Sequence, residues 1–109
     1  MQFAVLLRAT DTAQLPPQAQ LALAKRTFQM FTSNREPRIV ANYPFAAERA
    51  GILIIEATSG EELQEVIGSL PLAPLVTAEI HPIGSVEANL KTIESAERLM
   101  AEMMPAGVR

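Results

Sequence analysis

Short, dense apolar runs alternate along this chain with stretches whose apolar positions recur at helical spacing. Residues 2 to 9, QFAVLLRA, hold enough Phe, Val and Leu to predict a buried strand, closed by the polar TDTAQ. Pro16 and Pro17 stand where a helix starts, because proline in the first turn loses no N–H that the helix needs. From Gln18 to Ser33, Leu21, Ala24, Phe28 and Phe31 keep the three-four spacing of one helical face, most simply a core stripe. Asn34 to Pro37 break this helix, and RIVANYPF (38–45) resumes extended character, with Pro44 implying an edge position or a strand end.

A short AAERAG connection leads to ILIIEA (52–57), the most β-prone run in the chain. Ser59 and Glu62 then form a capping-box signature, and Leu63, Val66, Ile67 and Leu70 give the following helix its buried face. Pro71 stops it near Leu70. Leu75 to Ile83 supply a last strand, and Ser85 to Met104 read as a long terminal helix striped by Val86, Leu90, Ile93 and Met100, ended by Pro105 and Gly107. The order is β-α-β-β-α-β plus a helix, an α+β, ferredoxin-like pattern with a four-stranded antiparallel sheet. It predicts a single domain over 1–109, with a core at 1–83 and a helical extension at 84–109.

Two helices cover only one face of such a sheet, yet neither QFAVLLRA nor ILIIEA alternates cleanly between apolar and polar residues. The expectation is a homodimer through sheet faces, a dimeric α/β barrel with an interior cavity. The terminal helix would close the barrel end or swap onto the partner. Composition points the same way, since 49% hydrophobic against 19% charged residues is rich for 109 residues and suggests a subunit interface. A net charge of -3, with the basic residues scattered, argues against a nucleic-acid partner. The absence of cysteine removes disulfides and thiolate chemistry, and a single histidine excludes a multi-His metal site within one chain. The N-terminal run MQFAVLLRATD is too short for a membrane span and lacks the basic flank of a signal peptide, so a cytoplasmic protein is expected.

The unusual chemistry lies in the last strand. Residues two apart on a strand share a face about 6.6 Å apart along it, so Thr77, Glu79 and His81 form one set and Val76, Ala78 and Ile80 the other. Packing of the apolar set under the helices sends the titratable set toward the opposite face. A carboxylate in an apolar cavity is a competent general base, and a histidine can donate or relay. Arg8 could pair with a substrate carboxylate, and Arg38, Tyr43 and Glu56 are further pocket candidates. The alternatives are structural: Glu79 and Arg8 as an ion pair fixing register, His81 as an exposed strand end, and Glu61, Glu62 and Glu65 as a solvated helix face.

The segment LPLAPLVTAEIHPI (70–83), preceded by the SGEELQEVIGS helix and the GILIIEA strand, resembles the muconolactone delta-isomerase family, a family of dimeric α/β barrels. Its corner pattern of Leu-Pro-Leu, a further proline and a strand carrying glutamate corresponds here to Leu70, Pro71, Leu72, Pro74 and Glu79. Ala73 and Leu75 replace the aromatic residues usual at that corner. The resemblance implies a cofactor-free isomerase that moves a proton between carbons of a small lactone or enolisable acid, with Glu79 as catalytic base, to which the shared strand face adds His81 as a second catalytic candidate. The alternative is a non-catalytic dimeric barrel that binds a small apolar ligand or serves as an assembly module. A haem reading would rest on His81 alone.

Overall fold

A computed structural model describes residues 1–10 and 14–104. The chain runs β1 (Gln2–Ala9), α1 (Pro17–Thr32), β2 (Ile39–Pro44), β3 (Ala50–Glu56), α2 (Gly60–Gly68), a 3-10 turn (Ala73–Leu75), β4 (Val76–Pro82) and α3 (Val86–Met103). Every pairing is antiparallel and the sheet order is β2-β3-β1-β4, the ferredoxin-like arrangement. Pro44 is the last residue of an edge strand, where its missing N–H costs no ladder bond. Leu75 falls in the 3-10 turn rather than in β4, because the Leu75 N–H bonds back to the Leu72 carbonyl at 2.8 Å. Pro105 and Gly107 lie outside the described residues, as do Asp11 to Ala13.

One face of the sheet carries the core. Val5, Leu7, Leu53 and Ile55 alternate inward and meet Leu63, Val66 and Ile67 of α2, with Leu70 closing the end. Val5, Ile55 and Val66 are fully buried, each contributing about 1.5–3 kcal/mol of apolar transfer. Ser59 caps α2 by accepting the Glu62 N–H at 3.1 Å. The return arm of the expected capping box differs: the Glu62 carboxylate takes the N–H and hydroxyl of Thr58, at 3.1 and 2.6 Å, instead of the Ser59 N–H. α1 ends where Asn34 turns left-handed at φ 52°, a conformation asparagine tolerates, and the Arg35 N–H reaches back to the Met30 carbonyl.

The two helices do not cover the sheet equally. α2 packs closely on β3, whereas α1 stands off and fully buries only Thr27. The stripe expected to be core is therefore only partly so: Leu21 is 70% and Phe28 47% exposed, and together with Phe31 they line an open space against the sheet. The Thr27 hydroxyl donates to the Leu23 carbonyl at 2.9 Å and accepts the Leu72 N–H at 3.0 Å, fastening the Leu-Pro-Leu corner to α1.

The opposite face carries Ala4, Leu6, Ile52 and Ile54 on its central strands, all half-buried with no element over them. α3 projects away from the sheet, so the molecule extends 69 × 28 × 26 Å and no residue of α3 is buried. Its stripe of Val86, Leu90, Ile93 and Met100 lies open, and it does not close the sheet of its own chain.

Candidate functional site

The Leu-Pro-Leu corner, the β2–β3 hairpin and the inner side of α1 enclose a cleft of about 530 Å³, within the size range of small-molecule sites. Its walls are apolar: Leu21, Phe28 and Phe31 from α1, Phe45 after β2, Leu53 from β3 and Leu75 at the corner. Gly51 lets the hairpin strands come close, since a Cβ there would stand 3.1 Å from both the Pro44 Cα and the Tyr43 carbonyl oxygen. The charge sits at the hairpin rim. Glu48 is the single carboxylate among the described lining residues, and its Oε2 accepts from Arg8 at 3.2 Å. Arg49 reaches across to the Gln20 Oε1 on α1 at 3.3 Å, while the Gln20 side-chain amide donates to the Leu15 carbonyl.

The residues singled out from the sequence fall in three places. Thr77, Glu79 and His81 lie on the uncovered face of β4, because Val76 and Ile80 pack against the core. Register sets Thr77 beside Arg8, Glu79 beside Leu6 and His81 beside Ala4. The imidazole Nε2 of His81 lies 3.1 Å from Glu79 Oε1, with both side chains about three-fifths exposed. The expected alternative of an Arg8–Glu79 ion pair does not form, since Arg8 turns to Glu48 and Glu79 to His81.

Arg38 precedes β2 and serves the helical layer. Its guanidinium forks onto Glu36 at 2.7 and 2.8 Å and lies 3.8 Å from Glu62 and 3.6 Å from Glu65. The arginine hydrogen bonds hold the Glu36 carboxyl below the usual carboxylate range and push the Arg38 guanidinium higher still. Glu62 is also lowered, first by the Thr58 hydroxyl and N–H, with Arg38 adding a smaller share. Glu62 and Glu65 are therefore part of an arginine cluster rather than a merely solvated face. Glu56 accepts from the Met1 amino group at 2.8 Å. Tyr43 lines the cleft.

The structure thus brings Glu79 and His81 together, sets Thr77 and Arg8 side by side, and leaves Arg38 and Glu56 elsewhere. Glu48, Arg49 and Gln20 were not legible as site residues. AAERAG reads as a plain connection, and no feature of the sequence marks its charges as facing α1. Among the described residues no group of three or more His, Asp or Glu side chains could hold a metal ion. No described helix is long and apolar enough to cross a membrane.

No protein-family model and no curated protein matches the sequence. Solved structures do match. A crystal structure of muconolactone isomerase superimposes with a TM-score of 0.65 at 20% identity, covering 78% of this chain and 90% of that one. 5-Chloro-2-hydroxyhydroquinone dehydrochlorinase from Burkholderia phenoliruptrix, in complex with 2,5-dihydroxybenzoquinone, gives a TM-score of 0.60 at 14% identity, covering 81% of this chain and 98% of that one. With element order, antiparallel pairing and sheet order agreeing as well, this chain is built on the α+β, ferredoxin-like fold of muconolactone isomerase.

Proposed function

We propose that this protein is a cofactor-free isomerase-type enzyme that moves a proton between carbons of a small lactone or enolisable acid, bound between α1 and the sheet. The observation that carries the reading is the apolar cleft with Glu48 as the one carboxylate among its described lining residues. Both structural neighbours are named for chemistry on small cyclic molecules, which supports a substrate of that scale. In such a step a base removes a proton from a carbon activated by a conjugated carbonyl, and the proton is returned at another carbon, so atoms and charge balance. Apolar walls exclude water and strengthen the electrostatics around the developing enolate.

A second reading is favoured by the Glu79–His81 pair. Two copies facing each other through Ala4, Leu6, Ile52 and Ile54 would enclose this pair in a shared homodimer cavity, with Glu79 as base, His81 as relay and Thr77 beside them. An ultraviolet assay following conversion of muconolactone to the enol-lactone separates the two, run on the parent and on Glu48→Gln and Glu79→Gln. The cleft reading expects turnover to vanish in Glu48→Gln and persist in Glu79→Gln. The reverse pattern assigns the chemistry to the sheet face. Absence of turnover in all three removes muconolactone as substrate and leaves a barrel that binds a small apolar ligand or serves in assembly.

A further inference from the structure

The apolar stripe of α3 is interrupted once. Leu90, Ile93 and Met100 lie on one side of the helix, and the position that completes their three-four spacing is Glu97. α1 carries the same pattern on its solvent side: Leu21, Lys25, Phe28 and Thr32 step by four, three and four residues, and all four are exposed. Laid side by side in parallel, the two stripes agree at one constant offset. Gln18 meets Leu90, Leu21 meets Ile93, Lys25 meets Glu97 and Phe28 meets Met100. Each stripe is broken by a single charge at the same place, and the charges are opposite. The whole helices complement each other as well, since α1 holds Lys25 and Arg26 with no acidic residue, whereas α3 holds four glutamates against Lys91 and Arg98.

The other surfaces within the molecule do not match α3 in this way. A parallel pair of α3 helices sets Glu97 against Glu97, and an antiparallel pair centred on Ser95 sets it against Ile93. The uncovered sheet face offers Ala4, Leu6, Ile52 and Ile54 at its centre and no cation among them. Nor does α3 turn back on its own chain, for it projects away from its sheet and none of its residues is buried. We propose that α3 docks along the exposed side of α1 in a second copy of this chain, with Glu97 against Lys25. Exchanged reciprocally, each α3 on the other copy's α1, the contact forms twice and closes at two chains. Leu21, Phe28, Ile93 and Met100 supply the apolar burial, and the charge pair sets register and partner choice, as single polar positions do in paired helices.

The chain has no cysteine, so introduced thiols report this contact without background. Lys25→Cys and Glu97→Cys proteins, both changed at exposed positions and checked for the parent's melting temperature, are mixed and oxidised. A disulfide-linked pair of chains is expected in the mixture and not in either variant alone. The double variant Lys25→Cys/Glu97→Cys should link copies to each other. Sedimentation over a dilution series reads the charges: Glu97→Lys should weaken association about ten-fold, because it sets like charges together, and Lys25→Glu/Glu97→Lys should restore it. No link in the mixture overturns the proposal, and a dimer that persists without the link assigns association to the uncovered sheet face instead. Linking of either variant alone as strong as in the mixture shows chance collision and overturns it too. An internal disulfide in the monomeric double variant places α3 on its own α1, and failure of the double reversal to restore association removes Lys25 as the partner of Glu97; either result overturns the proposal.

Discussion

Thr27→Val isolates the tie between α1 and the Leu-Pro-Leu corner. Thr27 is 1% exposed, and valine fills nearly the same volume, so the change opens no cavity. What disappears is a hydroxyl with two bonds, 2.9 Å to the Leu23 carbonyl and 3.0 Å from the Leu72 N–H. The Leu23 carbonyl keeps its place in the helical ladder, so its loss is small. The Leu72 N–H has no such alternative at a corner that proline has already stripped of donors. Leaving a part-buried N–H unmatched costs up to about 1–3 kcal/mol, offset in part by the better burial of methyl over hydroxyl, so a net loss of about 1–2 kcal/mol is expected. In a domain of this size that lowers the melting temperature by about 4–10 °C. Urea unfolding followed by far-ultraviolet circular dichroism measures it, with Thr27→Ser as the partner variant that keeps the hydroxyl. If Thr27→Val were as stable as the parent, or if Thr27→Ser lost more than Thr27→Val, the tie would not hold the corner and the argument would fail.

Glu36 and Glu62 both have lowered carboxyl values in the folded chain, so their contribution to stability is present above the unfolded value of 4.5 and is lost as pH falls below it. Unfolding midpoints measured from pH 7 to pH 3 should therefore drop on the acid side, and Glu36→Gln should flatten that drop. Gly51→Ala pushes a Cβ to 3.1 Å from backbone atoms of Tyr43 and Pro44, which cannot swing aside as a flexible side chain would. It should cost about 1–3 kcal/mol, readable from one denaturation series.

Most of the architecture could be read from the sequence because its signals were local. Pro17, the Ser59 cap and Pro71 each marked an element boundary through a donor gained or lost, and the strands announced themselves by short apolar runs. Period-two spacing on β4 also placed Glu79 and His81 on one face correctly. The cleft was hidden for a different reason. A three-four stripe says that Leu21, Ala24, Phe28 and Phe31 share a face, but not how far that face stands from the sheet, which depends on the hairpin and corner packed around it. Arg38 shows the same limit: a strand-start arginine has no sequence feature that tells a substrate partner from Glu36 two residues away. Glu48 and Arg49 acquired their relation to α1 only through the β2–β3 hairpin that carries them, closed by the Pro44–Gly51 pairing.

The isolation of α3 makes it an arm. Eighteen helical residues form a rod about 27 Å long, at a rise of about 1.5 Å per residue, joined to β4 by the short Ile83–Ser85 link. A helix of that length without tertiary support is near the margin of stability in water, so its helicity reports whether something holds it. Being tethered, its apolar stripe is delivered to any surface within its sweep at an effective concentration in the millimolar range. The length of the Ile83–Ser85 joint sets which surfaces the arm can reach.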